Sequence, residues 1–241
     1  MTHKYTYLIL AASMLGFSAL PAAADSQCPM GASLASYETA NFSCYIGNLD
    51  FGNFTYFSAA SPGQAVPASA VIVNPVDNAS GIGFAFNSSW TASGAGSFSD
   101  GDIGFTVSVI GGGPATLEDA ALIQTAGVDD TNTGSIASVA EDACSGSTSG
   151  TGCTQTWSVV TSQTSNTTAT SSQKFFTPTG SLTVSKDINA QDGTSSSAFS
   201  TVSLVQDTFS QVPEPRAVAM LLGLCLLAGL TLKRKFQSVQ S

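Results

Sequence analysis

Histidine is almost missing from this sequence: His3 is the only one in 241 residues. Arginine does not occur before Arg216, and between residues 25 and 212 the only cations are Lys174 and Lys186. With no imidazole in that long middle, Ser–His–Asp and Cys–His nucleophile pairs cannot be assembled there. His-ligated zinc, iron and copper sites are excluded with them. Gly31-Ala32-Ser33-Leu34-Ala35 approaches a nucleophile elbow but lacks the last glycine and any base. Charge of any kind is scarce, at 10% of residues, against about a quarter in ordinary globular proteins. What charge there is has one sign, because fifteen acids stand against the two lysines of residues 25–212. Such a surface repels phosphate backbones and anionic lipid headgroups, so no nucleic-acid partner is expected. Repeats of 20–50 residues are absent too, which removes solenoids and propellers.

Hydroxyls take the place of charge: 36 serines, 26 threonines and 23 glycines. Aromatic, β-branched and other apolar residues recur with period two in the stretch 49–57, as in Leu49 with Phe51 and Phe54 with Tyr56, and again in Ile103, Phe105, Val107 and Val109. About ten short strands are expected, over residues 49–57, 71–73, 82–86, 101–110, 117–125, 135–139, 156–160, 174–176, 182–188 and 198–205. Asn74-Pro75 reads as a turn, and residues 162–172 as a polar loop or hairpin tip. Residues 117–125 could make two helical turns, but their short length and strand-rich neighbourhood favour a strand. The fold class that follows is all-β, an antiparallel two-sheet sandwich, with a jelly roll as one arrangement that fits.

The two ends differ from this middle. A short positive start, an apolar stretch over residues 8–20, Pro21 and Ala22-Ala23-Ala24 make residues 1–24 a signal peptide, with Asp25 beginning the mature chain. Export fits the cysteines. Cys28, Cys44, Cys144 and Cys153 lie in the exported part, and an even number in an oxidising compartment points to disulfides. Pairing in sequence order closes the shortest loops, and without a CxxC pair or a histidine a zinc site is a poor alternative.

At the other end, Val212-Pro213-Glu214-Pro215 is followed by Arg216, an uncharged apolar run over 217–232, and the basic cluster Lys233-Arg234-Lys235. That run spans about 24 Å as a helix, slightly short of a ~30 Å hydrocarbon core. The basic cluster would hold the C-terminus in the cytoplasm. The prolines keep the preceding segment extended. Together these parts resemble the PEP-CTERM sorting signal of Gram-negative bacteria. The resemblance implies recognition by exosortase, an integral-membrane transpeptidase, a transient stay in the inner membrane, and a link to exopolysaccharide and biofilm. The organisation expected is signal peptide 1–24, exported domain 25–211 and sorting signal 212–241. The final location is the cell surface or the extracellular matrix. More loosely, Cys44-Tyr45-Ile46-Gly47, Cys144 with Gly152-Cys153, and Val184-Ser185-Lys186-Asp187-Ile188 resemble β-rich domains found before such tails, which carry no catalytic motif.

The remaining chemistry is carboxylate chemistry. Asp100, Asp102, Glu118, Asp119, Asp129, Asp130, Glu141 and Asp142 occur mostly as near neighbours and read as solvated turn residues. Two acids would suffice for a glycosidase, but nothing singles out a pair. Calcium has candidate ligands in Asp129, Asp130 and Asn132, and in Asp100 with Asp102. Residues 187–193 begin like an EF-hand loop, but Gly193 falls one place late and Ala198 stands where Glu is needed. Trp90 and Trp157 could stack on sugars but read first as core residues. No cofactor, metal site or catalytic residue is therefore assigned. The expected function is that of a non-catalytic exported surface or matrix protein, the alternative being a polysaccharide-binding module, with or without calcium.

Overall fold

A chain that alternates apolar and polar residues over a dozen short segments can bury its apolar faces only by setting one sheet against another. The computed structural model describes residues 26–110, 115–128, 134–145, 155–163 and 170–213. Through them run β1 (Ala32–Ser33), a one-turn helix α1 (Leu34–Tyr37), β2 (Ser43–Ile46), β3 (Leu49–Ser61), β4 (Ile72–Asn78), β5 (Gly81–Ser93) and β6 (Phe98–Val109). Then follow β7 (Ala115–Val128), β8 (Ile136–Ser145), β9 (Gln155–Gln163), β10 (Thr170–Thr179), β11 (Ser181–Gln191) and β12 (Phe199–Pro213). The ten expected strands are all present, and β1 and β2 add two more. Residues 117–125 are strand, and Leu117, Leu122, Ala126 and Val128 of β7 are buried.

One expectation fails at a proline, and another narrows at a polar tract. Asn74-Pro75 is not a turn but the middle of β4, opposite Ala85 and Phe84. On its other side β4 is covered only at Ile72 and Val73, by β1. Beyond Val73 it is a free edge, where a residue without an N–H is tolerated. The reversal comes four residues later, at 79–80. The polar tract 162–172 is strand at its two ends, since β9 continues to Gln163 and β10 starts at Thr170; residues 164–169 lie outside the described residues.

Strand order is β1-β4-β5-β12-β7-β10 in one sheet and β2-β3-β6-β11-β8-β9 in the other, and every pairing between these strands is antiparallel. The last eight strands pair as a nested ribbon: β8 with β9, β7 with β10, β6 with β11, and β5 with β12. That ribbon is rolled so that β12 also meets β7 and β11 also meets β8. This is jelly-roll connectivity.

The core between the sheets is aromatic. Phe51, Phe54, Phe84, Phe86, Phe105 and Phe209 are buried with Tyr37, and their ring centroids lie 4.7–6.4 Å apart. Trp90 is fully buried here, its Nε1 donating to the Tyr56 hydroxyl at 3.1 Å. Cys28 and Cys44 are disulfide-bonded, which ties the segment before β1 to β2. On the chain-entropy model a closure of this size stabilises by about 3 kcal/mol. Cys144 is also disulfide-bonded, to a partner outside the described residues, where Cys153 lies. Residues 1–24 and 214–241, which hold the expected signal peptide, Glu214, Pro215, the apolar run and Lys233-Arg234-Lys235, are outside them too. Among the described residues no helix is long and apolar enough to cross a membrane.

Candidate functional site

The outer face of the β12-β7-β10 region carries a groove of about 530 Å³. Alternation decides what lines it. In β12 the core takes Val205, Asp207 and Phe209, so Thr208 and Ser210 turn outward; in β7, Asp119, Ala121 and Ile123 do the same. β10 adds Ser171 and Gln173, and the β4–β5 turn closes one end with Ala79 and Ser80. Asp119 lies at the floor, almost fully buried. Its carboxylate accepts from the Ser210 hydroxyl at 2.6 Å, the Ser210 backbone N–H at 3.2 Å and Gln173 Nε2 at 2.9 Å. Phe175 is directly opposite Asp119 in the β7–β10 register, hence on the same face, and is 64% exposed. An exposed ring beside a trough of hydroxyl, amide and carboxylate groups can stack on one side of a polyol while hydrogen-bonding its edge.

The outer face of the other sheet is acidic. Asp102 is opposite Asp187, and Asp100 is opposite Asn189, one pair further along. Partial desolvation, followed by the charges of Asp187 and Asp102, pushes the Asp100 carboxyl up to about 6. Desolvation and Asp187 raise Asp102 as well. Even so, among the described residues no group of three or more His, Cys, Asp or Glu is placed to hold a metal ion. The EF-hand-like start at Asp187 is not a loop. Residues 187–191 continue β11, and Asp192 is buried, accepting from the Ser97 hydroxyl at 3.1 Å. Asp129, Asp130 and Asn132 lie outside the described residues.

A third charged group is hidden between the sheets. Lys186 of β11 points into the core with no exposed surface; its Nζ is 2.6 Å from Asp207 Oδ2 and 2.9 Å from Glu141 Oε2, and both carboxylates are equally buried. Glu141 is the cross-strand partner of Lys186 in β8, whereas Asp207 reaches over from β12 in the facing sheet. The Phe105 ring lies under the ammonium, 4.5 Å away. Burial, then the neighbouring Glu141, drive Asp207 well above the usual carboxylate range, against the opposing pull of Lys186. Burial alone would lower Lys186, but Asp207 and Glu141 outweigh it and the net direction is upward.

These positions correct the reading of the acids as turn residues. Asp100 and Asp102 lie in β6, Glu118 and Asp119 in β7, Glu141 and Asp142 in β8. Adjacent acids on a strand point to opposite faces, so Glu141 is buried while Asp142 is exposed. Trp90 is core and offers no stacking platform. Trp157 lies in β9 opposite Ala143. Of the residues expected to form a sorting motif, Val212 and Pro213 are the last paired residues of β12, opposite Thr116 and Ala115, while Glu214 and Pro215 lie outside the described residues. Phe175, Gln173 and the Lys186 cluster were not singled out as functional from the sequence. A signal existed for the first: Phe175-Phe176 on one strand must send one ring outward, and Phe176 is the one that packs on the core.

The molecule is thus an all-β, two-sheet sandwich with a polar groove on one outer face. No protein-family model matches the chain, and no curated protein does. Among solved structures it is similar to the carbohydrate-binding module TmCBM61 in complex with β-1,4-galactotriose, at 10% identity and a TM-score of 0.32, over 66% of this chain and 88% of that one. It is also similar to a family 11 carbohydrate-binding module from Clostridium thermocellum in complex with a β-1,3-1,4-mixed-linked tetrasaccharide. There the identity is 13% and the TM-score 0.25, over 74% of this chain and 96% of the other. Scores this low tie the chain to neither protein.

Proposed function

We propose that this chain is an exported, non-catalytic surface or matrix protein, delivered through its C-terminal tail, that holds polysaccharide in the groove of the β12-β7-β10 face. The observation that carries the binding half is Phe175, a largely exposed ring on the same face as the Asp119–Ser210–Gln173 trough. The lining supports a neutral polyol over an anionic ligand, because the one charge facing the trough is negative. Delivery rests on the tail: Val212-Pro213-Glu214-Pro215, the apolar run and the basic cluster in that order. The absence of any histidine after His3 supports a role without turnover. The test is a glycan array and titration calorimetry on the exported domain. Polysaccharide binding is expected, and Phe175→Ala should weaken it roughly tenfold or more, about 1.4 kcal/mol. Phe175 is exposed, so the substitution should leave the fold intact. Equal binding by wild type and Phe175→Ala, or no binding across the array, rules out the groove; repeating the array with chelator tells whether a divalent cation takes part.

A further inference from the structure

The cluster between the sheets has the wrong composition for a salt bridge. One cation meets two carboxylates, so an ionised cluster would hold a net negative charge with no solvent contact. Beyond the 2.9 Å contact of Glu141 Oε2 with the ammonium, neither the Glu141 oxygens nor Asp207 Oδ1 meets a hydrogen-bond donor among the described residues, although the whole site is buried. An ion pair gains nothing from a second acid, and an apolar trio of similar volume is commonly as stable or more so. Three features remain to be explained: an amine against a carboxyl group, a second carboxyl group touching the same amine, and an aromatic floor that keeps water out.

We infer that Lys186 and Asp207 join in an intramolecular amide cross-link between the two sheets, formed by the folded protein itself with Glu141 as the proton shuttle. The neighbouring carboxylates hold Lys186 as an ammonium at rest, and transient transfer of one proton to Glu141, 2.9 Å away, exposes a free lone pair to a neutral Asp207 acid. The lone pair of Nζ attacks Cγ of Asp207 to give a tetrahedral adduct. Glu141 delivers its proton to the departing hydroxyl, which leaves as water, and takes back the surplus proton from nitrogen. The N–C bond forms, the C–O bond breaks, and nothing is oxidised or reduced. Lysine and acid become an amide and one water molecule, and Glu141 ends protonated and able to donate to the new carbonyl. No co-reactant is required, and the reaction runs once per molecule. It removes the buried ammonium and the Glu141 carboxylate charge together, which the ion pair cannot do. The two strands it joins, β11 and β12, are each one of the two central strands of their sheets, so a single bond staples sheet to sheet near the middle of the sandwich.

The inference is independent of polysaccharide binding and is tested by mass. The exported protein is reduced, alkylated and measured intact, then digested and sequenced by tandem mass spectrometry. The expected result is a chain lighter than its sequence by one water, with a branched peptide joining Lys186 to Asp207. Lys186→Met, which keeps the volume, should restore the full mass. Glu141→Gln should be folded by circular dichroism and also of full mass. Wild-type protein at full mass, with Lys186 and Asp207 in separate linear peptides, overturns the cross-link. So does a water deficit that persists in Lys186→Met, which would trace it to succinimide formation at a site such as Asp192-Gly193. A Glu141→Gln protein that still cross-links as fast as wild type removes the shuttle.

Discussion

Gly101 shows how far one missing side chain can fix a core. It faces inward from β6, and a methyl group there would stand 2.5 Å from Trp90 Nε1 and 3.1 Å from Cδ1. The indole cannot swing away without giving up its hydrogen bond to Tyr56, whose own hydroxyl donates to the Val66 carbonyl at 3.1 Å. Gly101→Ala is therefore expected to destabilise by ~1–3 kcal/mol through overpacking, read as a lower urea midpoint; an unchanged midpoint would show that the ring has room to move. At this scale the sequence was readable for Trp90, which reads first as core because a buried aromatic is the commoner case. It was silent on Lys186. A lone lysine on an alternating strand looks like surface, and only the register that puts Glu141 beside it and Asp207 across from it makes burial tolerable.

At the level of strands, the β6–β11 pair concentrates like charge. Asp100 holds its proton up to about 6 in the folded protein, against about 3.9 in an unfolded chain. Between those values the native state binds more protons than the unfolded one, so stability falls as pH rises through the window. Asp102 and Asp207 are shifted in the same sense. The unfolding midpoint should be higher at pH 5 than at pH 7.5, and Asp187→Asn should shrink the difference by removing the charge that bears on Asp100. Asp100 is only partly buried, so solvent screening keeps its share below the full linkage value. A difference that is absent, reversed or untouched by Asp187→Asn counts against this account. Strand existence was legible because period two is a local signal, as in Ile103 to Val109. Edges were not: Pro75 reads as a turn unless one knows that β1 stops at Val73 and leaves its neighbour uncovered.

Taken whole, the molecule should be shorter at its destination than at synthesis. β12 runs through Val212 to Pro213, so the bonds open to a protease without disturbing the sheet lie after Pro213. The expected mature C-terminus falls between Pro213 and Arg216, without Cys225 and the Lys233-Arg234-Lys235 cluster. C-terminal peptide sequencing of surface protein from wild-type cells checks this, and a full-length tail there would refute it. The overall class followed from alternation and hydroxyl content, but strand order could not, since each β-segment is compatible with many partners until long-range pairing selects one. That order has a temporal meaning. β12 is the last strand in the chain yet sits between β5 and β7, holding together the two halves of its sheet. A polypeptide emerging N-terminus first offers both flanks before the strand that unites them exists. Until residues 199–213 have been made, the flanks have nothing to close on, and distant pairings of this kind are slow in any case. The other sheet is complete in the chain once β11 ends at Gln191, so this one closes last, in a single late event set by strand order alone.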